Sequence, residues 1–466
     1  MMRRHVIQPL LLFVACAALM ACNSNVIKPI NVESTPPDNW QSDNAAISVA
    51  DGWLNQLGDA ELTSLVRKGL EKNRALAQVR FQVAQAEQQL IISGADELPA
   101  LDLNSSAGRS RSNGNTDNSF NLNGQLSWEL DIWGKLDDQT RQAHLNLAAQ
   151  RASLADAEQQ LAQDMATGWY RLQEAQLLLA LFQQRRSNLQ QNLELIESRY
   201  QQGLNTALDV YLARNDLGAE EARISAQRQT ELEARRTLEQ LLADYPAGQL
   251  TAVGSLSMLE SAIPAGLPSE LIKRRPDLQA RWLELLAADA AVAVAQKERF
   301  PSLTLTSSLG SGSSDPGDLL QSGSLAWSLA AALGQNLFDG GRREATQALR
   351  FAERQEREQR YLDAVYQAFQ QVENRLSNHQ ALQQQYLAYL EARSNADAAQ
   401  ALAFEQYQKG LTNYTTVLES QRRAFDARTN VIQLRSRLLI NRVDLYRALG
   451  GHFDTAGYHE YSERKG

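Results

Sequence analysis

Cysteine is almost missing from this chain. Its 466 residues hold two, Cys16 and Cys22. Removal of a leader before Cys22 leaves one, so no intrachain disulfide can form. Long apolar runs are missing too. Beyond the first 21 residues nothing approaches the ~18 that a membrane helix needs, so any bilayer crossing falls to β-strands. There is no excess of base. Lys and Arg number 46 against 54 Asp and Glu, a net charge of −8 with no basic stripe, which removes nucleic acid from the partners. Proline is sparse, 11 in a chain rich in Gln and Ala, which favours helix. The histidines, at 5, 144, 379, 452 and 459, have no metal-ligand spacing. Five methionines are too few for a copper relay. No phosphate loop, GxSxG or Gly-rich nucleotide loop occurs. Catalysis, a cofactor and a bound metal are not expected.

What is present begins with a targeting segment. Arg3, Arg4 and His5 precede the apolar "VIQPLLLFVACAALMA", the plan of a secretory signal over 1–21. "LMAC", Leu19 to Cys22, resembles the lipobox of bacterial lipoproteins, although Met20 is less usual there; "FVAC" at Cys16 follows too short a run. The lipobox resemblance implies lipidation of Cys22, and Asn23 in place of Asp implies the outer membrane. Several acyl chains anchor stably where one does not. Residues 22–59, with "KPINVESTPPDNWQ", read as an extended tether.

From Ala60 to about Ser93, apolar residues recur at three- and four-residue spacing. Pro99 ends this helix. In "SFNLNGQLSWELDIW", Phe120, Leu122, Leu126, Trp128, Leu130 and Ile132 alternate with Asn121, Asn123, Gln125, Ser127, Glu129 and Asp131, a strand with one apolar and one polar face. "LDLNSSAG" alternates more weakly, and Asn113-Gly114 marks the turn between them. This hairpin covers 98–133. Residues 134–201 then run without proline as a helix ~100 Å long at ~1.5 Å per residue. Its sparse, often Ala, apolar positions suit a coiled-coil-like array. After a turn at Gly203 a shorter helix covers 206–243, and an irregular connector covers 246–275.

The programme then restarts. "FPSLTLTSSLG" at 300–310 parallels "LPALDLNSSAG" at 98–108. A second hairpin covers 300–338, with helices over 341–408 and 413–449 and a tail over 450–466. "RYQQGLN" at 199–205 returns as "QYQKGLT" at 406–412. The chain is a tandem duplication with a period of roughly 205 residues, 60–245 against 276–449. In the first half the two short helices, 60–93 and 206–243, sum to about the length of the long one, 134–201, so they can run end to end beside it.

Trp128, Trp327, Trp133 and Phe338 on or beside the strands suit the aromatic girdle of an outer-membrane barrel. An ordinary sheet packed on helices is the alternative. Single-chain barrels need at least ~8 strands, and open edges cannot face lipid, so four strands per chain require several chains. Three give twelve strands; two are not excluded by arithmetic. Both hairpins leave into long helices, so all helices project to one side and the turns at Gly203 and Gly410 lie farthest from the membrane. The object is a passive duct with a polar lumen.

The chain resembles a TolC-like outer-membrane efflux lipoprotein, of the branch that includes multidrug and cation export channels. The match is carried by "LPAGLPSELIKRRPDLQARW" (267–282), "ERFPSLTLTSSLG" (298–310), "LFDGGRR" (337–343), the two "YQxGL" tips and "LYRALGG" (445–451). The resemblance implies a homotrimer, a twelve-stranded β-barrel continued by a periplasmic α-helical barrel, a periplasmic adaptor and an inner-membrane pump. It implies adaptor docking at Gly203, Leu204, Asn205, Thr206 and Gly410, Leu411, Thr412, Asn413. It implies a periplasmic gate at Asp209, Tyr407 and Glu419, with Thr416 where relatives carry a second carboxylate. Three copies of Glu419 near one axis would repel and raise one another's pKa. A duct for protein secretion and a periplasmic coiled-coil protein are the alternatives; the four amphipathic strands speak against the second.

Overall fold

A computed structural model of the chain describes residues 52–252 and 268–453, apart from 320, 322 and 324, together with 37, 40–42, 256, 257 and 266. The leader, Cys22 and most of the tether and tail lie outside the described residues. Regular structure begins with a short helix α1 (Trp53–Gln56), then α2 (Ala60–Lys72) and α3 (Arg74–Ala95). The single helix expected over 60–93 is thus two. Asn73 separates them with ψ at 128°, its Oδ1 accepting the Leu76 N–H at 2.9 Å and its Nδ2 donating to the Leu241 carbonyl at 2.8 Å. A side chain that caps the next helix breaks the periodic run without disturbing its apolar spacing.

β1 (Ala100–Ser112) and β2 (Asn115–Leu130) follow, joined by Asn113 and Gly114 at φ 50° and 86°. Two residues at positive φ suit the twist of a hairpin. Next come α4 (Lys135–Gln201), 67 residues, and α5 (Ala207–Leu241), 35 residues. The connector holds a helix the sequence reading lacked, α6 (Pro268–Arg274). Then come α7 (Pro276–Lys297), β3 (Ser302–Ser313), β4 (Leu325–Gly334), α8 (Arg342–Gln408), again 67 residues, and α9 (Tyr414–Ala448), again 35. Equal helix lengths in both halves are the structural signature of the duplication.

The four strands form one antiparallel sheet in the order β1-β2-β3-β4, so the two hairpins join through β2 and β3. The register sorts the side chains. Leu101 faces Leu126, Leu126 faces Ser307 and Ser307 faces Leu329; Trp128 faces Leu305, and Leu309 faces Trp327. Directly paired residues share a face, so one face collects the leucines and tryptophans. The other collects Asn104, Asn123, Gln125, Thr306, Ser308 and Ser328.

The helices repeat the strand order. α3 leads into β1, β2 into α4, α7 into β3 and β4 into α8. α4 packs against α3 and α5 on one side and α7 and α9 on the other, and α8 packs against α7 and α9. Around the molecule the sequence is therefore α3 with α5, then α4, then α7 with α9, then α8. Sheet and helices share one order, with α3/α5 and β1 at one edge and α8 and β4 at the other.

A belt packs across the middle. Trp53, Leu62, Val66, Leu70, Met165, Trp169, Leu172, Leu238, Val443 and Tyr446 form its buried core. Gly168 leaves room for this packing: an added Cβ would lie 2.9 Å from Leu238 Cδ2 and the buried leucine would have to shift. "RRPDL" has a structural explanation in the belt. Arg275 is buried and forks onto Asp277 at 2.9 and 2.8 Å, while also reaching Gln371 at 2.9 Å and the Ala448 carbonyl at 3.3 Å. Burial pushes the Asp277 carboxyl up, and the Arg275 hydrogen bonds and charge outweigh it and hold it below the usual range. Gly450 of "LYRALGG" sits against the Arg274 backbone. Two distant motifs are one contact.

Candidate functional site: the paired helix tips

Each long helix ends in the same reversal. Gly203 adopts φ 73° and its N–H reaches the Tyr200 carbonyl at 2.9 Å, while the Leu204 N–H reaches the Arg199 carbonyl at 2.9 Å. Gly410 adopts φ 71°, bonds the Tyr407 carbonyl at 3.1 Å, and the Leu411 N–H reaches Gln406 at 2.9 Å. These paired bonds form a Schellman cap, which needs the left-handed conformation that glycine takes without strain. The cap turns the following leucine outward: Leu204 is 72% and Leu411 73% exposed.

The helices that leave the tips are capped differently. Thr206 and Asp209 make a reciprocal capping box, with the Thr206 N–H and hydroxyl both donating to the Asp209 carboxylate at 3.0 and 2.9 Å. Asn413 caps α9 alone, its Oδ1 accepting from the Thr416 N–H at 3.0 Å and the Thr416 hydroxyl at 2.8 Å. Asp209 and Thr416 thus occupy the same third position of their helices, and only the first is charged.

The two tips meet through Tyr407. Its ring is buried with Leu193, Ile196, Val210, Ala213, Tyr414 and Val417. The Asn205 amide donates to its hydroxyl at 3.0 Å and to Asp209 at 3.4 Å. Tyr407 and Asp209 are therefore linked through Asn205 rather than directly. The Arg199 guanidinium lies 4.7 Å from the Tyr407 ring centroid, and its nitrogens donate to the Tyr407 and Gln408 carbonyls at 3.5 Å. Sequence reading assigned no role to Arg199. The signal lay in the two copies themselves: Tyr200 and Tyr407 match, yet Arg199 aligns with Gln406 and Asn205 with Thr412.

Glu419 lies one turn deeper on α9, exposed and already paired, at 2.9 Å to Arg422 and 2.7 Å to Arg423. Those arginines, Arg423 first and then Arg422, hold its carboxyl below the usual range. Within one chain the expected upward shift is absent, because two cations accompany the acid.

The aromatic residues divide in two. Trp327, on the apolar face, is 78% exposed, and Phe338, four residues past β4, is 89% exposed. Trp128 is half-buried and donates to the Glu97 carbonyl at 2.9 Å. Trp133 donates to the Pro301 carbonyl at 2.7 Å and stacks on Phe300 at 5.0 Å. The last two brace the junction between sheet and helices. Among the described residues no cluster of His, Cys, Asp and Glu fits a metal ion, and no helix is long and apolar enough to cross a membrane.

One further pattern concerns the edges. Large apolar side chains left exposed on the helices are Phe81, Ile91 and Ile92 on α3, Leu208 and Tyr211 on α5, and Leu349, Phe351, Tyr366, Leu387, Tyr389 and Leu402 on α8. Tyr200, at the end of α4, is the exception among the described residues; the interior helices α7 and α9 carry none.

The family described as outer membrane efflux protein matches residues 65–244 and 267–451, both halves of the duplication. This chain belongs to that family. It is 31% identical to the pyoverdine export outer membrane protein OpmQ of Pseudomonas aeruginosa over 460 residues, covering 94% of this chain and 95% of that one. It is 29% identical to the cation efflux system protein CusC of Escherichia coli over 426 residues, covering 88% and 92%. A crystal structure of CusC superposes with a TM-score of 0.83 at 25% identity, over 91% of this chain and 99% of that one. As an outer membrane efflux protein, the chain has the duplicated strand-and-long-helix fold of its family, and its paired tips lie at the end remote from the sheet.

Proposed function

We propose that three copies of this chain close one twelve-stranded barrel in the outer membrane and one helical tunnel beneath it. The assembly is the passive exit duct of a tripartite efflux system for small molecules. The observation that carries this reading is the pair of open edges. β1 and β4 have no partner on their outer sides among the described residues, and the exposed apolar side chains gather on α3, α5 and α8, the helices below and beside those edges. Unpaired edges facing lipid are too costly to persist. A second copy laid β4 to β1 and α8 to α3/α5 satisfies both. The leucine face then meets lipid with Trp327 and Phe338, and the Asn, Gln, Ser and Thr face lines water.

The energy comes from an inner-membrane pump, reached through a periplasmic adaptor. Gly203, Leu204, Asn205, Thr206 and Gly410, Leu411, Thr412, Asn413 form the docking rim; the exposed leucines are its apolar knobs. Tyr407, Asn205 and Asp209 form the latch. Thr416 serves as a capped helix start, and Glu419 and Asp426 with Arg422 and Arg423 make a charged but balanced collar. Cys22 carries the lipid anchor. The duct carries out no chemistry and holds no cofactor.

The test is export in cells lacking the native duct. Leu204→Asp together with Leu411→Asp should abolish drug resistance while trimers still form and insert. Resistance at the wild-type level would sink the docking rim. A purified chain that stays monomeric in lipid, and conducts no ions, would sink the duct itself.

A further inference from the structure

We propose that Arg199 is the clasp that couples the two tips of one chain, a positioning residue for the latch. The inference rests on the gate reading above. Three contacts converge on this one side chain. Its guanidinium faces the Tyr407 ring at 4.7 Å. Its two terminal nitrogens approach the Tyr407 and Gln408 carbonyls, each at 3.5 Å. Those carbonyls belong to the last turn of α8, where the helix dipole is negative; the Tyr407 carbonyl already takes the Gly410 N–H and accepts the guanidinium as a second donor. A cation supplied from α4 meets the negative end of that dipole and adds a donor to each carbonyl.

The backbone of Arg199 is part of the first tip. Its carbonyl accepts the Leu204 N–H at 2.9 Å and so closes the cap that turns Leu204 outward. One residue therefore holds the geometry of the first tip with its backbone and grips the second tip with its side chain. Asn205, next to Leu204, makes the second grip, on the Tyr407 hydroxyl. The copy-two equivalent of Arg199 is Gln406, which brings no charge. The clasp consequently works in one direction, from the first hairpin to the second, once per chain. Glu197, two residues away, is already paired with Arg214 at 2.7 Å and does not compete for the guanidinium.

Lysine cannot replace this arrangement. An ammonium retains attraction to the carbonyls but loses the planar face against the ring and the fork across two acceptors. Glutamine, the residue of the second copy, loses the charge as well.

The experiment is single-channel recording of the purified full-length protein in planar bilayers, comparing wild type, Arg199→Gln, Arg199→Lys and Tyr407→Phe. Size-exclusion and heat-resistant trimer bands establish assembly for each. Arg199→Gln should raise open probability about tenfold for three clasps released together, given the usual strength of an exposed cation–π contact. Arg199→Lys should fall between it and wild type. If Tyr407→Phe opens the channel and Arg199→Gln does not, the clasp is overturned and the gate stands. If neither changes, the gate is misassigned and the clasp falls with it. Should Arg199→Gln fail to assemble, Arg199→Lys carries the test: closure indistinguishable from wild type refutes the planar clasp.

Discussion

Two neighbouring residues on β4 offer a sharp test of which way the sheet faces. Leu329 pairs with Ser307 and Ser328 pairs with Ser308, so the two lie on opposite faces. β4 has 10 residues. At ~3.4 Å per residue and a tilt of about 40°, it stands roughly 26 Å tall, and its fifth residue, Leu329, falls near the bilayer midplane. An arginine there costs ~2–4 kcal/mol per chain on the lipid side, so a trimer loses about three times that. On the lumen side an arginine is hydrated. Ser328→Arg gives up only the Ser308–Ser328 hydroxyl contact of 2.7 Å, about 1 kcal/mol. Urea unfolding from lipid vesicles should find Leu329→Arg strongly destabilised, or unable to insert, and Ser328→Arg near wild type. Bilayer recordings of Ser328→Arg should show reduced preference for cations, because three positive charges line the pore. If Ser328→Arg were the unstable variant, or if Leu329→Arg alone altered ion selectivity, the assignment of lumen and lipid faces would be inverted.

Three further outcomes follow from single contacts. Gly450→Ala forces a side chain into positive φ and puts a Cβ 3.0 Å from the Arg274 backbone and Cβ; it should destabilise the belt by ~2–4 kcal/mol in urea melts followed by far-UV ellipticity. The Glu239 carboxylate accepts the N–H groups of Gly248, Gln249 and Leu250 at 2.6, 2.6 and 2.9 Å. Burial pushes its pKa up, but those three bonds outweigh it and lower it. Its contribution is therefore present above the ordinary glutamate range, near ~4.3, and is lost as pH falls through the depressed folded value. Glu239→Gln should cost about 2 kcal/mol at pH 7, and the gap to wild type should close in strong acid rather than widen. The Tyr414 hydroxyl is buried in the tip cluster without a hydrogen-bond partner among the described residues. Tyr414→Phe should stabilise that cluster by about 1 kcal/mol and lower open probability in bilayers; a higher open probability would mean the hydroxyl is satisfied in the closed state.

The strands were legible because period two survives any tertiary context: alternation around Trp128 and Trp327 foretold the two faces that the register displays. The long helices were legible because proline and glycine nearly vanish over 67 residues twice. The break at Asn73 was not, since a capping asparagine leaves the apolar spacing of α2 and α3 intact. "RRPDL" stood out by resemblance alone; its physics, an arginine fork bridging α7, α8 and the end of α9, joins residues 96 and 173 positions apart. The exposed leucines of the tips were visible beside their glycines. The clasp was not, because the contact of Arg199 with Tyr407 spans 208 residues and no local pattern encodes it. Glu419 was visible as an acid, but its arginines, three and four residues on, change its electrostatic meaning.

Comparison of the two tips separates what duplication kept from what it altered. Gly203 and Gly410 agree, as do Leu204 and Leu411, and these are the turn and the outward side chain. Arg199, Asn205 and Asp209 differ from Gln406, Thr412 and Thr416, and these are the residues that face inward onto the other tip or onto the helix start. Tyr200 is 48% exposed where its counterpart Tyr407 is buried. The glycine of the turn and the outward leucine thus stay alike, and the positions turned toward the sister repeat diverge. Divergence is what a latch requires. Two identical tips could dock identical partners but could not grip each other asymmetrically, because an arginine gripping a helix end needs a helix end that is not itself defended by an arginine. On the proposed trimer the same logic would make the tips nearly sixfold on their outward side and threefold in their inward contacts, so that opening would release the two grips of Arg199 and Asn205 in each chain.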